Sequence, residues 1–281
     1  MSTPKNQSVL KAFAVLKCFH SRDEWLTSCE LSRRAKLPEA SGYRLIQTLE
    51  QIGAVVRGPS GRYRPGMLLV SLAQNVAIGD LLREASQEIM TEVANRLNLT
   101  MHLGILEGGM VTYIAKVFTP TSLELHTRPG SQLEAYCSGL GKVLLAALPP
   151  DQLDGIILDG TLVALTPHTI TDRAQLRLEL DCVRKRGYAL DNCEIRSDMR
   201  CVAVPVHGSA EHIVASLSAT DHADRMTEAR QNEVRDALLA AAALLERKVF
   251  PPDSDLKLRP FHKREHSRHL HGHEALLTIH N

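Results

Sequence analysis

The sequence predicts an α+β chain of two modules, a small helical one closed by a hairpin and a larger sheet flanked by helices. Three observations carry this. Residues 26–63 read as two short helices, a tight connection and a hairpin, LTSCELSRRAKLPEASGYRLIQTLEQIGAVVRGPSGRY. From about Thr100 the pattern changes to short apolar strands interleaved with helices. The charge divides along the same line: residues 1–72 hold 11 Lys+Arg against 5 Asp+Glu, residues 73–250 hold 17 against 23. A basic module joined to an acidic one argues that only the first meets a polyanion.

The first helix is expected from about Ser8 to Phe19, with Val9, Ala12, Phe13 and Leu16 on one face. Thr27 followed by Glu30 spells a capping box, with Leu26 and Leu31 at staple spacing around it. Lys36-Leu37-Pro38 stops that helix. The next carries Leu45, Ile46, Leu49 and Ile52 at i, i+1, i+4, i+7, with Gly53 as its end signal. Ala54–Arg57 and Arg62–Arg64 flank Gly58-Pro59-Ser60-Gly61 as a hairpin with arginines on both arms. Met67–Ala77 reads as a joining helix, and Gly79-Asp80 opens a long amphipathic one with Leu82, Ile89, Val93 and Leu97 inward.

In the second module, Thr100–Leu106 and Met110–Val117 flank a turn at Glu107-Gly108-Gly109, and Ser122–Thr127 alternates as a further strand. Ser138–Leu148 reads as a helix stopped by Pro149-Pro150. Thr171 or Asp172 caps a helix that Gly187 ends. Tyr188–Asp191, Cys201–Val206 and Ile213–Ala219 read as strands, and Thr227–Lys248 as a closing helix. The expected divisions are therefore residues 1–72, a linker with the first helix of the next module at 73–98, the sheet domain at 99–250, and a tail at 251–281.

With 281 residues, 44% hydrophobic and 23% charged, the chain has the material for two ordinary cores. No apolar run approaches the ~20 residues of a membrane span, so no membrane partner is expected. The opening MSTPKNQS has no apolar signal region, which predicts a cytoplasmic protein. Six cysteines without a CxxC pair predict reduced thiols rather than a disulfide framework or a metal site, and no cofactor is expected. The tail holds His266, His269, His271 and His273, a spacing that binds Zn²⁺ or Ni²⁺ when ordered; a disordered polar tail is the expectation.

Capping box, turn, second helix and basic hairpin in this order describe a winged helix-turn-helix, which implies binding to double-stranded DNA. On the second helix Glu39, Ala40, Ser41, Tyr43, Arg44 and Gln47 lie toward the exposed N-terminal side. Arg44 is the candidate for a guanine or phosphate contact. Tyr43 is expected to pack or to hydrogen-bond a phosphate. Arg33, Arg34, Arg57, Arg62 and Arg64 are expected to hold phosphates, which position without specifying. In the second module, Ser138-Gly139-Leu140-Gly141 precedes a helix. Its backbone amides suit a carboxylate without a lysine, or else its glycines serve close packing. Cys201 with His207 or His212 as base is a conceivable nucleophile, but no catalytic site is expected.

The order of motifs resembles the IclR family of bacterial transcriptional regulators over roughly residues 7–249. The matching stretches are LSRRAKLPEASGYRLIQTLEQIG, GRYRPG, YCSGLGKVLLAALP, TPHTITD, RKRGYALDNCEIRSDMRCVAVPV and VASLSAT. The resemblance implies a winged helix-turn-helix, a linker helix and a GAF-like C-terminal domain that binds a small metabolite, in a homodimer or a dimer of dimers. It places the polar effector contacts at Gly139, Leu140, Asp191, Cys201, Ser218 and Thr220, and an apolar patch at Leu125, Leu133 and Met199. Thr220 stands where the family usually has a serine, and two positions of the reading head also depart from the family pattern. Glu39 stands where a basic residue is frequent, and it either accepts from a cytosine amine or complements the helix dipole. Gly42 replaces a β-branched residue and is expected to loosen its turn by up to about 1 kcal/mol.

The expected function is a DNA-binding regulator, in the sense of a repressor, of a catabolic or transport operon, controlled by a small organic or aromatic acid. A small-molecule sensor or enzyme with a vestigial helix-turn-helix is the alternative. Steep loss of DNA affinity with salt separates the two.

Overall fold

A computed structural model describes residues 5–21, 23–159, 161–208 and 212–251. The histidines of the tail lie outside these residues. The chain divides into two compact units, with the boundary in sequence between Ala73 and Gln74.

In the first unit, α1 (Gln7–Leu16), α2 (Ser28–Arg34) and α3 (Glu39–Gln51) pack over a hairpin of β1 (Val55–Arg57) and β2 (Tyr63–Pro65), and α4 (Met67–Ala73) follows. The capping box is complete: Thr27 accepts from the Glu30 amide while the Glu30 carboxylate accepts from the Thr27 amide. Val15, Leu26, Leu31, Ile46, Leu49, Val55 and Tyr63 make the core. α1 is shorter than expected, and its buried face differs: Val15 points inward while Val9 and Phe13 are about half exposed. Ile52, too, is on the outside, because α3 ends at Gln51 and Ile52 sits in the C-cap.

Gly42 corrects an expectation. It is buried, and a Cβ there would lie 2.1 Å from Ser32 Oγ and 2.8 Å from Ser32 Cβ. Ser32 is itself fixed, its hydroxyl donating to the Ser28 carbonyl at 2.7 Å. The glycine thus lets α3 pack directly against Ser32 of α2, a close fit that a side chain would prevent.

The second unit is a six-stranded antiparallel sheet in the order β5-β4-β3-β8-β7-β6. Its strands are β3 (Thr100–Glu107), β4 (Met110–Val117), β5 (Gln132–Glu134), β6 (Ala189–Asn192), β7 (Met199–His207) and β8 (Ile213–His222). The long helices α5 (Ile78–Leu97) and α9 (Glu228–Val249) share one core with Met101, Leu103, Val202, Val204 and Leu217. On the other side α6 (Gly139–Ala146), α7 (Pro150–Asp159) and α8 (Arg173–Arg186) share a second core with Val111, Tyr113, Ala189 and Ala203. Asp172 caps α8 and Gly187 ends it in the left-handed region, as the sequence predicts.

Residues Ser122–Thr127 are not a strand. Their carbonyls are claimed by side chains instead of a ladder: Thr100 donates to the Leu123 carbonyl at 2.6 Å, and Lys116 to those of Leu125 and Thr127 at 2.5 and 3.0 Å. The edge position beside β4 falls to β5, paired over Gln132–Glu134. α7 is the other departure, since Pro150 opens a helix there rather than merely ending one. β4 also carries a bulge: Leu103 faces Ala115 and Gly104 faces Tyr113, which leaves Ile114 without a counterpart on β3. Ala115 and Val117 consequently face the α5–α9 core while Val111 and Tyr113 face the other side.

Candidate nucleic-acid interface and ligand pocket

Of the candidate residues on α3, Glu39, Ala40, Tyr43 and Arg44 are exposed, with Ser41 and Gln47 partly covered. Pro38 occupies the N-cap and makes no side-chain cap, so α3 begins with Glu39 in its first turn, where a carboxylate suits the positive end of the dipole. Cys29 Sγ donates to Glu39 Oε1 at 3.2 Å. That carboxylate pushes the Cys29 thiol above its ordinary range.

The basic residues divide into two groups. Arg33, Arg44, Arg57 and Arg64 are exposed. Arg34 and Arg62 are exposed as well, yet committed inside the unit. Arg34 donates to the Cys18 carbonyl and pairs with Glu24 at 2.7 Å; Arg62 donates to the Trp25 carbonyl at 3.0 Å, 3.7 Å from Glu30. Gln47 Nε2 likewise reaches the Tyr63 hydroxyl at 3.2 Å, tying α3 to the hairpin.

The second unit brings all nine effector-contact candidates to one hollow. Leu125, Leu133, Gly139, Leu140, Asp191, Met199, Cys201, Ser218 and Thr220 line it, joined by His102, Tyr113, Ser138 and Ile195. Strand register explains the convergence. Thr100, Thr220, Cys201 and Asp191 stand opposite one another across β3, β8, β7 and β6, and His102 stands opposite Ser218 two residues along. Side chains two apart share a face, so a polar stripe crosses the sheet beneath α6. A Cβ on Gly139 would lie 3.3 Å from Cys201 Sγ and 3.2 Å from the Ala203 Cβ, so glycine lets the helix start sit directly on the stripe. Ser138 caps α6 by accepting from the Gly141 amide at 3.0 Å. The volume of the hollow is about 30 Å³, room for roughly one water molecule.

Burial sets the charge state of the hollow. It holds His102 at about 3, with Lys116 contributing, so the imidazole is neutral. His102 Nε2 lies 2.6 Å from Thr127 Oγ1, and the ring is tilted against Tyr113 at 4.6 Å between centroids. The Cys201 thiol is pushed up to about 12 by burial and then by Asp191, which rules against a thiolate. His207 is six residues away on the same strand, about 20 Å at 3.3 Å per residue, and pairs with Glu246 at 2.9 Å. No Cys201–His207 couple exists.

Asp191 is the singular group. Its Oδ1 accepts from the Glu194 amide at 2.7 Å, and its Oδ2 is buried without a hydrogen-bond partner. Burial raises its pKa to about 7. Between about pH 4 and 7 the folded chain therefore holds this proton more tightly than the unfolded chain, and stability falls as pH rises through that window. Asp191→Asn is expected to abolish this fall, so that thermal melts of the variant gain on the wild type from pH 5 to pH 8. A constant difference across that range would contradict it.

Behind Asp191 lies a buried pair the sequence did not disclose. Lys142 on α6 is 1% exposed and bonds Glu194 at 2.5 Å, with Glu179 at 3.5 Å and Arg186 on Glu179 at 2.8 Å. His102, Tyr113, Ser138 and Ile195 line the hollow beyond the nine candidates. Of these only Ser138 left a signal, as the cap before Gly139; His102 and Tyr113 depend on register and on the bulge. Among the described residues no cluster of three metal-ligating side chains occurs, and no helix is long and apolar enough to cross a membrane. All six cysteines are free.

A helix-turn-helix with a basic hairpin, and a sheet domain enclosing a polar hollow, define a DNA-binding transcriptional regulator with an effector site. The chain belongs to the IclR family: residues 8–59 match the IclR helix-turn-helix domain, and residues 75–247 match the C-terminal domain of bacterial transcriptional regulator IclR. That family consists of DNA-binding regulators rather than enzymes. The HTH-type transcriptional regulator XynR of Escherichia coli (strain K12) is 31% identical over 250 residues, covering 89% of this chain and 99% of that protein. HTH-type transcriptional regulator KdgR of the same organism is 34% identical over 240 residues, 84% of this chain and 89% of its own. Among solved structures, an IclR homolog from Microbacterium hydrocarbonoxydans complexed with 4-hydroxybenzoate superposes with a TM-score of 0.58 at 25% identity, over 86% of this chain and 98% of that one.

Proposed function

We propose that the protein is a cytoplasmic repressor of a catabolic or transport operon, released or tightened by a small organic or aromatic acid held between α6 and the polar stripe. The observation that carries this reading is the convergence of nine separately placed residues on one buried hollow. Amides at the start of α6 suit a carboxylate, and the partnerless Asp191 Oδ2 suits a ligand hydroxyl or a shared proton. A relative's structure holding 4-hydroxybenzoate supports an acid of that size. Such a ring is several times larger than the hollow, so binding has to widen it. The Ser122–Thr127 segment, fastened by side chains rather than by a ladder, is the wall expected to yield. No membrane partner enters this reading.

A homodimer, or a dimer of dimers, fits the surface of the first unit. Val9, Phe13, Met67, Val70 and Leu72 are all about half exposed or more, apolar surface on α1 and α4 that a second copy would cover. Two copies would also supply the paired half-sites that one winged helix lacks.

The test is a thermal-shift series with 4-hydroxybenzoate and other small hydroxy and aromatic acids, followed by gel-shift titration of DNA flanking the protein's own gene with each stabilising acid. An acid at 100 times its Kd is expected to add about 2.7 kcal/mol and to change DNA affinity. Stabilisation by none of them, or DNA affinity indifferent to a bound acid, defeats the effector part of the reading.

A further inference from the structure

Trp25, the single tryptophan of the chain, plays no part in the recognition helix, yet three contacts converge on it. Leu26 and Tyr63 exchange both backbone hydrogen bonds, at 3.0 and 2.7 Å, so the segment before α2 joins the hairpin as a third, antiparallel member. One step along that register, Trp25 comes opposite Arg64. The Arg64 guanidinium lies over the indole at 4.8 Å from the ring centre, within the range of a cation–π contact. From the other arm, Gly58 rests on the same ring: a Cβ there would lie 2.6 Å from Trp25 Cζ3. The Trp25 carbonyl accepts from Arg62 at 3.0 Å. The indole thus touches both arms of the wing and fixes the direction of an exposed arginine.

We propose that Trp25 is a positioning residue for DNA binding, a platform that holds Arg64 extended and ready for a phosphate of the duplex backbone while Arg62 is spent on anchoring the wing. The proposal rests on the DNA-binding reading and adds to it a residue outside the helix-turn-helix. A free arginine explores many rotamers; one whose planar guanidinium is laid flat on an aromatic face meets a phosphate with less order left to impose. A wing held at both arms also presents its charge at one height rather than many.

The experiment uses the full chain, a 24-base-pair mixed-sequence duplex as probe, and affinity measured against salt concentration. Trp25→Phe keeps a π face, whereas Trp25→Leu fills the space against Gly58 without one. Wild type is expected to lose affinity steeply with salt. Trp25→Leu is expected to reduce the log–log slope by about one phosphate contact and the affinity by roughly eightfold at 0.1 M salt. Trp25→Phe is expected to retain most of both. Arg64→Gln should reproduce the leucine variant, and adding it to Trp25→Leu should cost little more. Melting curves confirm that each variant is folded, a readout on which leucine and phenylalanine should not differ. A folded Trp25→Leu with the wild-type slope overturns the proposal, as does Trp25→Phe falling with the leucine variant. A wild type insensitive to salt overturns instead the DNA-binding reading beneath it.

Discussion

Lys142→Met is expected to cost the second unit about 3–5 kcal/mol, enough to consume a large part of the stability of an ordinary domain. The reason is what remains behind. Lys142 bonds Glu194 at 2.5 Å and approaches Glu179 at 3.5 Å, and Glu194 is itself almost wholly buried, with Oε2 already lacking a partner. Methionine fits the same channel, so packing is kept while the carboxylate loses its cation in a medium that solvates it poorly. Glu194 already sits above the ordinary carboxylate range because of burial, with Lys142 as the opposing influence. Removing that influence drives it to protonate. The double variant Lys142→Met, Glu194→Leu should recover most of the loss, because replacing a buried pair by apolar groups is often neutral. Urea unfolding of the three proteins decides it; a single variant within about 1 kcal/mol of wild type would show that the pair contributes little.

Arg44→Ala is expected to remove operator binding and to leave melting unchanged within about 0.5 kcal/mol. Arg44 stands on the exposed side of α3 one turn from its start, beside Tyr43 and past Glu39. A bidentate contact to guanine is worth about 1–3 kcal/mol, or about 5- to 150-fold in affinity, and the loss should fall on the operator more than on mixed-sequence duplex. An equal loss on both would reassign Arg44 to a phosphate. Gel-shift titration against both DNAs measures the difference.

The first unit was largely legible because its signals are local. Thr27 and Glu30 meet within one turn, Gly53 ends a helix at its own position, and Asp172 and Gly187 do the same for α8 in the second unit. What failed was whatever depends on a distant neighbour. Val9 and Phe13 have helical spacing toward a face that the core does not use. Gly42 reads as a weak point until Ser32 is seen against it. Ser122–Thr127 alternates like a strand, but Thr100 and Lys116 take its carbonyls before another strand can. Lys142 reads as an ordinary helix lysine, since nothing local announces Glu194 52 residues away. The pocket residues were found through family pattern rather than through physics: Asp191, Cys201 and Thr220 are brought abreast only by a register that the sequence does not print.

The extra residue at Ile114 acts on β4 as a frameshift acts on a message. Before it, odd-numbered residues belong to the ligand side; after it, odd-numbered residues belong to the opposite core. One strand therefore speaks to two audiences, and each half is free to change its vocabulary alone. Variation at Tyr113 can retune what the hollow accepts while Ala115 and Val117 go on packing in the core shared with α5 and α9. A single unpaired residue thus separates the side chain of β4 that lines the hollow from those that pack in the core shared with α5 and α9.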